Sequence, residues 1–307
     1  MSGRYAARGL FEERKSVMGR HRLSALVGAA FLLPLSAGAW AADLPEIPPY
    51  APPVQVGHSW YLRGDIGMAA QHFGGLDHPD FATPATFEWL DPGQFDAVPT
   101  FQLGIGYRHS DHLRFDLTGE YRGKSAFSAL DRYDTNTVGS NFTSDCTFSP
   151  SGDCATNHYT AKKDEWLFLV NGYYDFNPMY GITPYVGAGI GASYNSIYDF
   201  VDNNTITGGQ GWAPTAGTWN FAWALHAGAS MQVNDNLSLD VGYSFVSLGG
   251  AQTGPFQNVD PGVGCATTSS CSPMKFNNIY SHDFKIGLRY AFGGPTPDYS
   301  GPAVVKY

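Results

Sequence analysis

Phe284-Lys285-Ile286-Gly287-Leu288-Arg289-Tyr290-Ala291-Phe292 alternates between large apolar residues and polar or small ones. A period of two belongs to an extended strand, whose successive side chains point to opposite faces. One face carries Phe284, Ile286, Leu288, Tyr290 and Phe292, and the other carries Asp283, Lys285, Gly287 and Arg289. The apolar face is aromatic at both ends and aliphatic between. Such a face suits a slab of hydrocarbon bounded on each side by an aqueous interface.

Upstream, the same alternation recurs in runs that begin near Leu62, Phe101, Leu113, Trp166, Val186, Trp219 and Leu237. The run Phe101, Leu103, Ile105, Tyr107 repeats the aromatic–aliphatic–aromatic profile. The spacing predicts eight strands of about ten residues, and no helical stripe competes with them. Three connections are short and rich in turn formers: 110–112, 177–181 and 234–236. Four are long, roughly 71–99, 122–160, 195–217 and 247–280. A meander with every second connection long has one simple and one elaborate end, as transmembrane barrels have short periplasmic turns and long external loops.

The more polar faces carry Arg63, Asp65, Arg108, Arg114, Asp116, Glu120, Glu165, Asp240, Asp283, Lys285 and Arg289. Unpaired, each would cost several kcal/mol in a dry interior. Paired with one another, they fit a narrow lumen. Eight strands leave an interior just wide enough for side chains, and hydrocarbon tolerates no open sheet edge. The expected fold is therefore all-β: a single eight-stranded antiparallel up-and-down transmembrane β-barrel over residues 58–292, with a side-chain-filled lumen.

Composition agrees. Of 307 residues, only 15% are charged and 15% are aromatic, against roughly 25% charged in average soluble domains. Met18-Gly19-Arg20-His21-Arg22, the apolar run 23–35 and Ala39-Trp40-Ala41 read as a secretory signal peptide over 1–41. Residues 1–17 fit an over-long start, so either Met1 or Met18 can begin the chain. Six of the 18 basic and two of the 27 acidic residues fall within 1–41, leaving 12 and 25 and a net charge of −13. With the basic residues scattered, nucleic acid is not an expected partner. Residues 42–57 form a Pro-rich periplasmic leader and 293–307 a periplasmic tail.

Export permits disulfides. Cys146 with Cys154 and Cys265 with Cys271 form two close pairs inside long connections, read as loop staples because neither has metal-site spacing. Gly187-x-Gly189-x-x-Ala192 has the letters of a dinucleotide fingerprint but lies on one strand face rather than opening a helix. Its glycines are read as making room for Tyr or Arg side chains of neighbouring strands. His226, Ser230 and Asp240 are the residues a lipid A deacylase-type site would draw on. His226 is predicted to point inward, away from lipid, so it is read as a hydrogen-bonded lumen residue and the protein as no enzyme. No cofactor or metal set is expected; the Asp-rich loops read as solvated charge.

The chain resembles eight-stranded outer-membrane proteins of the OmpA/opacity-protein type, in the alphaproteobacterial surface-antigen ("porin family") branch. The resemblance rests on Ala41-Ala42-Asp43-Leu44-Pro45, on Leu117-Thr118-Gly119-Glu120-Tyr121-Arg122-Gly123 and on Thr183-Pro184-Tyr185-Val186-Gly187-Ala188-Gly189-Ile190-Gly191. The closing strand Lys285–Phe292 completes it. It implies a bacterial outer-membrane location, contact with outer-membrane lipid and lipopolysaccharide, and insertion by the barrel-assembly machinery. The expected role is structural: envelope integrity, with external loops presented to host or matrix ligands. A narrow porin-like channel for ions or small solutes is the alternative. Family members usually end at the closing aromatic; here Gly293 to Tyr307 follow, so the assembly signal is expected internally, in Gly287, Leu288, Tyr290 and Phe292.

Overall fold

Eight long strands dominate the computed structural model, which describes residues 59–81, 87–134, 154–204, 208–258 and 271–292. They are β1 (Ser59–His72), β2 (Val98–Arg108), β3 (Leu113–Asp134), β4 (Asn157–Asp175), β5 (Ile182–Asn204), β6 (Ala216–Gln232), β7 (Leu237–Pro255) and β8 (Pro273–Phe292). Consecutive strands pair antiparallel, and β8 returns to β1 with Trp60 opposite Phe292. Each long strand is thus hydrogen-bonded on both edges. None offers lipid an unpaired row of N–H and C=O groups, the condition hydrocarbon imposes.

Turn chemistry fixes the simple end. Ser110 Oγ accepts hydrogen bonds from the N–H groups of His112 and Leu113 at 3.3 and 3.1 Å. Asn234 Oδ1 does the same for Asn236 and Leu237 at 3.0 and 2.9 Å. Such side-chain caps hold short hairpins tightly. Ser59 and Phe292 lie at this end too, because β1 pairs with β8 there.

The opposite end departs from the expectation of ten-residue strands and long loops. β3 runs for 22 residues and β5 for 23. Much of the expected loop sequence is strand that continues beyond the apolar band. Phe87–Phe95 pairs with β3, and Gln210–Ala213 bridges β5 to Gln257–Asn258.

Irregularities explain why simple alternation stopped short. In β3 the inward residues are Arg114, Asp116, Thr118, Glu120 and Arg122, but after a register shift they become Ser125, Phe127, Ala129 and Asp131. A bulge adds a residue and swaps which parity points in. In β5 the swap falls at Asp199, whose φ of 53° is left-handed, between buried Ile197 and Phe200. Gly249, with φ 73°, marks another shift in β7.

Below the bulges the outward face is apolar: Leu103, Ile286 and Leu288 are 74%, 56% and 52% exposed. Trp60 and Tyr107 border one rim of this band, with ring centroids 5.3 Å apart. Tyr121 with Trp166 (5.1 Å) and Tyr194 with Trp219 (5.0 Å) border the other. Above the bulges the polarity reverses. Phe95, Phe127, Phe276, Leu248, Ile279 and Met274 are buried among themselves, whereas Lys124, Lys162 and Ser128 face outward. Water is the solvent outside this upper part, so its greasy residues turn inward.

Candidate functional site

The lumen holds the groups the sequence singled out, in stacked layers. Nearest the short-turn end, Arg114 Nε lies 2.9 Å from Asp175 Oδ1. Among the described residues, its two terminal nitrogens make no hydrogen bond. Instead the guanidinium sits over the rings of Tyr173 and Tyr185, at 4.1 and 4.6 Å from their centroids, where the ring faces attract a cation. Arg289 Nη2 approaches Asp240 Oδ1 at 3.4 Å and donates to Ser230 Oγ at 3.2 Å. Arg108 is half-buried at the mouth, in a recess shared with Asp235 and Ser238.

The next layer centres on Arg63. It is bidentate to Asp65, with Nε and Nη2 at 2.9 and 2.8 Å from the two carboxylate oxygens. Its Nη1 reaches Asp116 at 3.0 Å and the Tyr173 hydroxyl at 3.1 Å. Gln102 donates to Asp65 at 3.0 Å and Asn171 to Asp116 at 2.7 Å. His226 bonds through Nδ1 to Ser244 Oγ at 2.8 Å and through Nε2 to Asn171 Oδ1 at 3.1 Å. Its partner is therefore Ser244, not Ser230, which faces Asp240 and serves Arg289. A cavity of about 20 Å³ beside these groups, lined in part by Arg63, His226 and Lys285, has room for about one water.

Uppermost in the ionic section, Arg122 is fully buried between Glu120 (2.8 Å), Glu165 (3.5 Å) and a tightly held Asp283. Lys163 pairs with Glu165, and Lys285 with Glu120. The lumen thus sets Arg63, Arg114, Arg122, Lys163, Lys285 and Arg289 against Asp65, Asp116, Glu120, Glu165, Asp175, Asp240 and Asp283. Arg122, Lys163 and Asp175 were not among the lumen charges named from the sequence. Arg122 lies at the boundary drawn for the loop 122–160, and Lys163 falls between that loop and the run that begins near Trp166. Asp175 ends an inward run and could have been counted as a partner for Arg114.

Glycines shape the packing. A Cβ on Gly106 would stand 2.2 Å from the Tyr61 ring, and one on Gly187 would stand 2.4 Å from Tyr173. The room-making role expected of 187–191 takes a Tyr at Gly187 but Asn171 at Gly189 and the β4 backbone at Gly191; no Arg is involved there. Gly287 likewise leaves space for Asp65, while Leu288, Tyr290 and Phe292 face outward. Cys271 is disulfide-bonded and Cys154 opens the short strand Cys154–Ala155. Cys146 and Cys265 lie outside the described residues, as do the signal peptide, the leader and the C-terminal tail.

Above the ions, Lys163 Nζ lies 4.9 Å from the centre of the Phe95 ring. There the apolar cap begins. Phe73, Phe95, Phe127 and Phe276 pack with centroids 5.0–6.0 Å apart. Higher still, Tyr159 donates to Asp131 Oδ2 at 2.6 Å. Near them, burial and the charge of Asp131 push the Asp202 carboxyl up to about 7.

A strand circuit that is apolar outside and ionic within is a transmembrane β-barrel. The chain belongs to the outer membrane protein beta-barrel domain family, whose profile matches residues 27–292, and it is a protein of the bacterial outer membrane. It is 31% identical over 277 residues to an uncharacterized protein of Brucella abortus, covering 82% of this chain and 92% of that one. A protein named as a putative adhesin in Rickettsia felis is 26% identical, covering 77% and 89%. The outer membrane protein PagN of Salmonella typhimurium is 34% identical over 127 residues, 41% of this chain and 48% of that one.

Proposed function

We propose that this protein is a sealed barrel that anchors a rigid β-structured platform at the cell surface, serving envelope integrity and surface contact. The observation that carries this reading is the filling of the interior. Successive layers from Arg114 through Arg122 to Phe276 occupy the lumen, and Arg122 and Phe276 are fully buried. An ion crossing it would have to break paired charges and then enter an apolar core, each unfavourable by several kcal/mol. The strands themselves continue past the lipid band, β3 running for 22 residues in all and β5 for 23. The Rickettsia felis relative's name as a putative adhesin supports contact with a host or matrix surface. No catalytic role is assigned: His226 is held between Ser244 and Asn171 inside the lumen.

Planar-bilayer recording of the purified protein tests the sealed interior. The expected outcome is no steady unit conductance, and reproducible unit steps would favour the narrow-pore alternative. Attachment of cells with and without the protein to immobilised matrix components tests the contact role. Equal attachment would remove it.

A further inference from the structure

Two histidines on the outer face belong to neither the lumen nor the apolar cap. His72 ends β1 and His282 lies in β8. The pairing of Gln71 with Ser281 makes them diagonal cross-strand neighbours on one face, a relationship within reach of long side chains. Both face outward, and their ring centroids are 5.7 Å apart with planes at 77°. They sit at the upper edge of the apolar band, beside Tyr280 and Phe245, whose rings stack at 5.7 Å. One of the pair is oriented by a third residue: His282 Nδ1 is 2.7 Å from the Tyr243 hydroxyl on the neighbouring strand β7.

We propose that His72 and His282 form a two-imidazole site for a first-row divalent cation such as Zn²⁺ or Ni²⁺ at the outer rim of the lipid band. Imidazole nitrogen suits these metals. A ligating histidine characteristically donates its other ring N–H to a fixed acceptor, which sets the tautomer and aims the lone pair. In the metal-bound form the Tyr243 oxygen serves as that acceptor: with Nδ1–H donating to it, Nε2 of His282 is the ligand. The strands supply a rigid base, since both residues are hydrogen-bonded into the β1–β8 ladder. Two protein ligands leave further coordination positions for water or for phosphate oxygens of the outer leaflet.

The test is titration of the refolded, tag-free protein in detergent micelles with ZnCl₂ and, separately, NiCl₂, followed by calorimetry. His72→Gln, His282→Gln and the double variant are measured beside it. Each protein is first shown to be folded by its gel shift on heating. One metal equivalent is expected per barrel, weakened at least tenfold in each single variant and lost in the double. Tyr243→Phe should weaken it roughly tenfold, as removal of an orienting partner does. Cu²⁺ electron paramagnetic resonance, expected to show two coordinated nitrogens in the native protein and fewer in either single variant, gives an independent reading. Unchanged affinity and stoichiometry in the double variant overturns the site. So does unchanged affinity in either single variant.

Discussion

Arg122 of β3 is ion-paired with Asp283 of β8, two residues on strands that are not neighbours in the sheet. The pair crosses the lumen and ties opposite walls together. Both side chains are fully buried, and the guanidinium also meets Glu120 and Glu165. Removing one partner leaves a charge with no water to turn to. Asp283→Ala should therefore destabilise the barrel by about 3–5 kcal/mol, whereas Arg122→Met combined with Asp283→Leu should cost less than the single change. Urea unfolding in detergent, followed by loss of the heat-modifiable band, measures both.

Tyr61 fills space that Gly106 leaves open. Gly106→Ala pushes a methyl into the ring and should cost about 1–3 kcal/mol. Tyr61→Leu in the same chain should recover part of that loss. The same unfolding assay decides, and additive losses would refute the packing relationship.

Lipid contact can be tested on one face. Leu103→Arg puts a cation into the apolar band and should cost roughly 2–4 kcal/mol if near its middle. Ala126→Arg, also outward but above the band, should change stability by less than ~0.5 kcal/mol. Equal effects of the two would contradict the placement of the membrane.

The upper part of the barrel should respond to pH through Asp202. Its carboxyl is raised to about 7 by burial and by Asp131, itself raised mainly by burial. The folded form thus holds a proton that the unfolded chain, near the ordinary carboxylate value, releases earlier. That contribution is fully present below the unfolded value and is lost as pH rises through about 7. Protection of the amides across 157–163 and 197–204, taken relative to their intrinsic base-catalysed exchange, should be greater at acidic than at alkaline pH. Asp202→Asn should flatten the dependence and slow exchange at alkaline pH, and an unchanged profile would exclude Asp202 as its source.

The lipid-spanning half was readable because one solvent on each side makes strict alternation informative. Leu103, Ile105 and Leu288 declare the outside, and Arg63, Asp116 and Arg289 the inside. Reading failed where parity changes. Gly123-Lys124 at the β3 bulge looks like the start of a loop, so Arg122 fell at the edge and Phe127 and Ala129 lost their inward assignment. Asp199 and Gly249 did the same to Phe200 and Ala251. Lys163 was hidden because it falls between the loop drawn to residue 160 and the run that begins near Trp166, although its partner Glu165 had been placed in the lumen. The His226 contact with Ser244 depends on strand register, which single-strand periodicity does not specify.

The bulge between Arg122 and Ser125 divides β3 into two texts written in opposite codes. Toward the short turns, an outward leucine is at home and an outward lysine is a lesion; toward the opposite end, the rule inverts. A mutational scan along this one strand should therefore show tolerance changing sign within three residues. Chimeras that exchange surface architectures between barrels are best joined there, where neither portion has to be translated into the other's grammar.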